Sequence, residues 1–135
     1  MIVADTNLIA YLFIQGDYSD LAVQTFQKDP DWAAPLLWRS EFRSVLLKCL
    51  RKKYFSVNTA HRIMTEAEHL LQGKEYTLVS ADILNLAFTG GCSAYDAEFV
   101  ALARDMGIPL VTADSKLLNI FPEITVSPEH FLHDM

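Results

Sequence analysis

Four acidic side chains stand where an ionised carboxylate needs a reason. Asp5 ends the apolar run Ile2-Val3-Ala4, Glu41 lies near the start of WRSEFRSVLLKCLRKK, Asp96 follows Ser93-Ala-Tyr, and Asp114 ends LVTAD. A carboxylate taken out of water without help normally neutralises, pairs with a cation or binds a metal. Each acid has an ordinary reading. Asp5 and Asp114 suit the N-cap of a following helix, Ser93-Ala-Tyr-Asp96 has the form of a capping box, and Glu41 is within reach of Arg39 or Arg43. Several acids in one crevice ask for more, because like charges at close range raise one another's pKa unless a cation sits between them. The cation that prefers carboxylate oxygen and water is magnesium or manganese. A centre of that kind suits hydrolysis of a phosphodiester, with a bound water made more acidic and the leaving oxygen neutralised.

Whether the acids share a crevice depends on the elements that carry them. Strands are expected at Ile2 to Ala4, Trp32 to Ala34, Thr77 to Val79, Ile108 to Thr112 and Ile124 to Val126. Helices are expected at Asn7 to Ile14, through about Lys28 with Ser19 as its cap, roughly Leu37 to Lys53, from Ser56 or Asn58 to Gln72, to about Thr89 with Ser80 as its cap, Ala94 to Met106, and a short turn at Ser115 to Leu118. Strands alternating with helices predict an α/β sandwich around a central parallel sheet. In such sheets the ligand crevice lies beyond the carboxyl ends of the strands. Asp5 and Asp114 then emerge at one edge, Asp96 starts from that edge in the first turn of its helix, and Glu41 borders the apolar face Trp38, Phe42, Val45 and Cys49.

Length and charge narrow the partners. The 135 residues suffice for one domain, expected over 1–135. The apolar runs are far shorter than the ~20 residues that span a bilayer, and no secretion leader is evident, so a cytoplasmic location away from the membrane is expected. Cys49 and Cys92 show no C-x-x-C pairing and read as reduced. The net charge of −6 argues against gripping nucleic acid by bulk charge. Even so, six of the eleven basic residues, Arg39, Arg43, Lys48, Arg51, Lys52 and Lys53, fall in one helical stretch. That stretch is either a solvated helix with cations toward its C-terminal end or a phosphate-facing strip, of which Arg39, Arg43 and Lys48 are the candidates.

The strings IVADTNLIAYL, SEFRSVL and YDAEFVALARDMGIPLVTADSKL resemble the PIN-domain ribonucleases, and specifically the VapC-like toxins of prokaryotic toxin–antitoxin operons. The resemblance runs in order along essentially the whole chain. It implies a three-layer α/β/α fold with a five-stranded parallel sheet, magnesium-dependent RNA cleavage, homodimers and inhibition by a cognate antitoxin. Its acidic centre maps onto Asp5, Glu41, Asp96 and Asp114, with Asn7 and Thr112 as polar neighbours and Asp114 the acid expected to act through water. The negative charge departs from what an RNA partner suggests and leaves phosphate contact to the Arg39 to Lys53 strip or a dimer groove. Two other readings stand beside it. A PIN fold that binds RNA or protein without cutting is disfavoured by four intact acids. A phosphoaspartyl protein is disfavoured because a phosphatase needs a second acid where this chain has Asn7, and a receiver carries its aspartate at the third strand.

Overall fold

Five short strands form one all-parallel sheet in the order β3-β2-β1-β4-β5. The structure is a computed structural model and describes residues 1–133. In chain order the elements are β1 (Ile2–Ala4), α1 (Thr6–Phe13), α2 (Ser19–Lys28), β2 (Trp32–Pro35), α3 (Trp38–Arg51), α4 (Val57–Leu70) and β3 (Glu75–Tyr76), followed by α5 (Ser80–Gly90), α6 (Ala94–Met106), β4 (Leu110–Val111), α7 (Ser115–Ile120), β5 (Thr125–Val126) and α8 (Pro128–His133). The chain moves outward from β1 to β2 and β3, then crosses to the other side of β1 for β4 and β5. Parallel crossovers are right-handed almost without exception, so this reversal sends α5 and α6 to the face opposite α1 to α4. The contacts agree: α6 lies on β1, β2 and β4, while α1 packs on α2 and α3, and α3 on α4. The point of reversal lies between β1 and β4, where a crevice opens beyond the strand ends.

The strands are short, two to four residues each. All of β1 and β2 is buried, as are Leu110 and Val111, which fits the continuous apolar runs of a sheet covered on both faces. Helix α3 buries Trp38, Phe42, Leu46 and Cys49, at spacings of four, four and three, and so presents one stripe to the sheet and another to the crevice. Gly90, the last residue of α5, abuts the Phe121 ring so closely that an added Cβ would stand 2.6 Å from it. Gly91 follows at φ 73°, in the left-handed region that ends a helix.

Three details differ from the expected elements. The third strand is Glu75–Tyr76 rather than Thr77 to Val79. Backbone pairing decides this against β-propensity: Ala34 N–H donates to the Lys74 carbonyl at 3.1 Å and Leu36 N–H to that of Tyr76 at 2.9 Å. Ser19 and Ser80 are first residues of their helices rather than caps. The Ser19 hydroxyl instead closes the preceding loop, accepting from Gly16 N–H at 2.9 Å and donating to the Ile14 carbonyl at 3.1 Å. Lastly, the chain forms α8 after β5, and α8 packs on α2, where the Lys28 ammonium lies 4.5 Å from the centre of the Phe131 ring. Among the described residues no helix is long and apolar enough to cross a membrane.

Candidate active site

Sheet register brings the first two polar groups together. Ala4 pairs with Val111, so the next residues along the two strands, Asp5 and Thr112, face each other where the ladder ends. Asp5 uses both of its oxygens. Oδ1 accepts from Leu8 N–H at 2.8 Å and caps α1, while Oδ2 accepts from the Thr112 hydroxyl at 2.5 Å. Thr112 is fully buried, and its Oγ1 also accepts from Asp114 N–H at 3.0 Å. One hydroxyl thus fixes Asp5 and the backbone of Asp114 relative to each other. Asp114 caps α7 with Oδ1 alone, accepting from Lys116 N–H at 2.9 Å and Leu117 N–H at 3.2 Å. Its other oxygen has no hydrogen-bond partner among the described residues.

The remaining acids come from helices on the two faces. Glu41 Oε1 accepts from the Thr6 hydroxyl at 2.6 Å, which ties α3 to the first turn of α1. Asp96 sits in the first turn of α6, with its N–H on the capping Ser93 hydroxyl at 3.0 Å. Asp5, Glu41, Asp96 and Asp114 all line one cleft of about 310 Å³, together with Thr6, Asn7, Ser44 and Lys48. Four carboxylates therefore share one opening.

Their electrostatics follow from that crowding. Burial pushes Asp5 up from 3.8 to about 6, against the pull of the Thr112 and Leu8 hydrogen bonds and with further push from Asp114 and Glu41. Glu41 is raised by burial and by Asp96, with the Thr6 hydroxyl opposing. Asp96 is raised by burial and by Asp114, while Ser93 and Lys116 hold it down. Glu98, also on α6, is raised by burial and then by Glu41. Sequence reading missed two of these participants. Glu98 lies only two residues from Asp96, off its helical face, and it meets Glu41 only through packing. Thr6 carried one visible signal, a hydroxyl in the turn directly after Asp5.

The donor set fits a hard divalent cation: it is all oxygen, and its members destabilise one another's charge. Among the described residues no group of three or more His, Cys, Asp or Glu side chains is drawn together as a ready-made ligand set. Magnesium does not require one, since it keeps several waters and is commonly held by one or two carboxylates.

The basic strip divides. Arg39 differs from the other two phosphate candidates in that its guanidinium is engaged within the fold. Nε and Nη2 donate to the two Glu75 oxygens at 2.6 and 2.8 Å, and Nη1 donates to Glu68 at 2.6 Å. Trp38 Nε1 adds a bond to Glu75 at 2.7 Å. This fork locks α3 to β3 and α4, and it lowers the Glu75 pKa. Glu41 has no arginine partner among the described residues. Arg43 and Lys48 are exposed, and Lys48 lines the acidic cleft. Cys49 is buried and Cys92 half-buried, both as free thiols.

No protein-family model matches the chain. Ribonuclease VapC3 of Pyrobaculum aerophilum is 28% identical over 126 residues, which cover 91% of this chain and 96% of the relative. Among solved structures, PAE2754 of Pyrobaculum aerophilum superposes with a TM-score of 0.77 at 21% identity, over 98% of this chain and 86% of that one. A toxin–antitoxin complex from Klebsiella pneumoniae gives a TM-score of 0.65 at 22% identity, over 95% of this chain and 98% of its own. The α/β fold with its five-stranded parallel sheet is that of these structures. The chain resembles the PIN-domain, VapC-like ribonucleases along nearly its whole length.

Proposed function

We propose that this chain is a divalent-metal-dependent endoribonuclease, a PIN domain acting as the toxin of a toxin–antitoxin pair. The observation that carries the reading is the single cleft lined by Asp5, Glu41, Asp96 and Asp114, at the topological switch point of a fold shared with toxin–antitoxin proteins. The similarity to Ribonuclease VapC3 supplies the reaction class.

In this reading the acids hold magnesium or manganese, and the ion, when bound, makes a water nucleophilic and offsets charge on the leaving oxygen. The chain's own residues do the positioning. Thr112 fixes the Asp5 carboxylate and the Asp114 backbone in one frame, and Thr6 fixes Glu41. The free oxygen of Asp114 and the half-buried Asp96 complete the ligand candidates, with Asp114 acting through water and Asn7 as a polar neighbour at the rim. Arg43 and Lys48 remain the candidates for RNA phosphate on α3.

Two partners belong to the proposal. The antitoxin has the Klebsiella pneumoniae toxin–antitoxin complex as its support. An apolar groove lined by Ala10, Tyr11, Ile14, Tyr18, Val45 and Cys49, adjoining the acidic cleft at Asn7, is a place for one of its segments. A homodimer is supported by α5, which buries no residue and exposes Leu84 by 65% and Phe88 by 92%, one helical turn apart. The site of action is the cytoplasm.

Purified protein mixed with transfer, ribosomal and messenger RNA tests the reading. Cleavage is expected with magnesium or manganese, to be lost in excess EDTA and in Asp5→Asn. Undiminished cleavage in EDTA overturns the metal, and no cleavage of any RNA with either metal returns the chain to a binding module.

A further inference from the structure

An RNA strand that nears a cleft lined by four carboxylates, with Glu98 adding a fifth charge near Glu41, is repelled except where a cation bound among the acids or cations beside the cleft offset the charge. Most of the chain's cations are badly placed for this or already engaged. Arg39 is held by Glu75 and Glu68, Lys74 by Asp31, and Arg104 by Asp82 and Asp105. Lys28 bonds to the Phe131 carbonyl near the C-terminal helix. Lys52 lies over the Tyr54 ring at the far end of α3.

Arg43, Arg51, Lys53 and Arg62 are exposed and join no ion pair among the described residues, but none of them lines the cleft or bonds to one of its acids. Two lysines differ from these. Lys48 lines the cleft from α3, two turns along the helix from Glu41. Lys116 stands beside the cleft on α7: its backbone N–H is fixed on Asp114 Oδ1, and its neighbour Leu117 lines the cleft. Both side chains are exposed, and neither joins an ion pair among the described residues. They come from helices on different sides of the acids, one attached to the face of α1 to α4 and the other to the loop that ends β4.

We infer that Lys48 and Lys116 form a two-point rail for single-stranded RNA, each holding a phosphate that flanks the scissile one, so that the strand crosses the acids from α3 to α7. The inference rests on the ribonuclease reading and deepens it by naming Lys116 as a positioning residue. Lysine suits the role: a compact charge on a flexible stem takes a phosphate at many orientations, as a rail without base contacts requires. The shared tether gives Lys116 a defined place, since the Asp114 oxygen that receives its N–H belongs to the acidic centre itself. Lys116 also offsets the charge of Asp96, and the test must separate that effect from phosphate holding.

The probe is a short, labelled, mixed-sequence single-stranded RNA, bound to the full chain in calcium chloride across a salt series. Each phosphate contact on a single strand adds about 0.7 to the slope of log affinity against log salt. Lys48→Gln and Lys116→Gln are each expected to lower the slope by about that amount and to weaken binding about fivefold near 0.1 M salt. The double variant should lose about twice the slope, Lys116→Arg should restore it, and Arg62→Gln on α4 should leave it unchanged. In magnesium, the single variants should raise KM and leave kcat near the wild-type value. A Lys116→Gln slope equal to that of the wild type, or a change confined to kcat, overturns the rail and leaves Lys116 as a partner of Asp96. Absence of RNA binding by the wild type also overturns it. A wild type that binds with the predicted slopes but does not cleave in magnesium or manganese defeats the ribonuclease reading instead.

Discussion

Asp5→Asn separates what burial costs from what capping supplies. The Asp5 carboxyl is moved from 3.8 to about 6, chiefly by burial. At about 1.36 kcal/mol per unit this makes the ionised form cost the folded state roughly 3 kcal/mol above pH 7. The sign is fixed by linkage: the folded chain keeps this proton down from about pH 6 while the unfolded chain has lost it, so stability rises as pH falls from 7 toward 4. Asparagine removes the titration. It keeps the cap, because its Oδ1 can accept from Leu8 N–H as Asp5 Oδ1 does at 2.8 Å. It loses the charged acceptor of the Thr112 hydroxyl and presents an amide to an Oγ1 that already accepts from Asp114 N–H, at a cost of about 1 kcal/mol. The balance is a gain of about 1–2 kcal/mol at pH 7.5 in metal-free protein, or roughly 5 °C in melting temperature for a chain of this size. Thermal melts of both proteins in EDTA at pH 7.5 and pH 4.5 read it: Asp5→Asn should melt higher at the first pH and lose that advantage at the second. Added magnesium should then stabilise the wild type more than the variant, by binding only the folded site. A variant that melts below the wild type at both pH values, with an equal magnesium shift, would show that Asp5 is a cap and that burial does not strain it.

Thr112→Val removes the hydroxyl that Asp5 and Asp114 share, and urea unfolding should show a loss of about 1–3 kcal/mol, with the Asp5 carboxyl titrating still higher by NMR. Glu75→Gln weakens the fork on Arg39 and should cost about 1 kcal/mol for this partly exposed pair, while the salt slope of RNA binding stays that of the wild type; a reduced slope would put Arg39 back among the phosphate contacts. Phe88→Glu places a charge on the exposed face of α5 and should convert the proposed dimer to monomer in sedimentation velocity, with the melting temperature of the monomer little changed because Phe88 is 92% exposed. A wild type that sediments as a monomer would refute the dimer reading directly.

The alternation of elements and the convergence of Asp5 and Asp114 were legible because both depend on local signals: apolar runs, cap residues and the rule that parallel sheets open at their carboxyl ends. What was not legible depends on pairing at a distance. Strand β3 is set by hydrogen bonds from Ala34 and Leu36 and by the fork that holds Glu75, so Thr77-Leu78-Val79, the better strand by composition, becomes a connection. Arg39 reads as one cation of a strip until Glu68 and Glu75, 29 and 36 residues away, are seen to engage all three of its nitrogens. The acids themselves teach the sharpest lesson. From sequence, cap and ligand are rival readings of Asp5 and Asp114, since each uses the same carboxylate in the same place. In the fold they are compatible at both positions. Oδ1 caps a helix in each case, and the second oxygen is left for other work: on Asp5 it receives the Thr112 hydroxyl, and on Asp114 it has no described partner. Capping thereby holds each side chain in one rotamer without consuming it. A crevice that holds several like charges close together needs that restraint, and the start of a helix at a strand end supplies it.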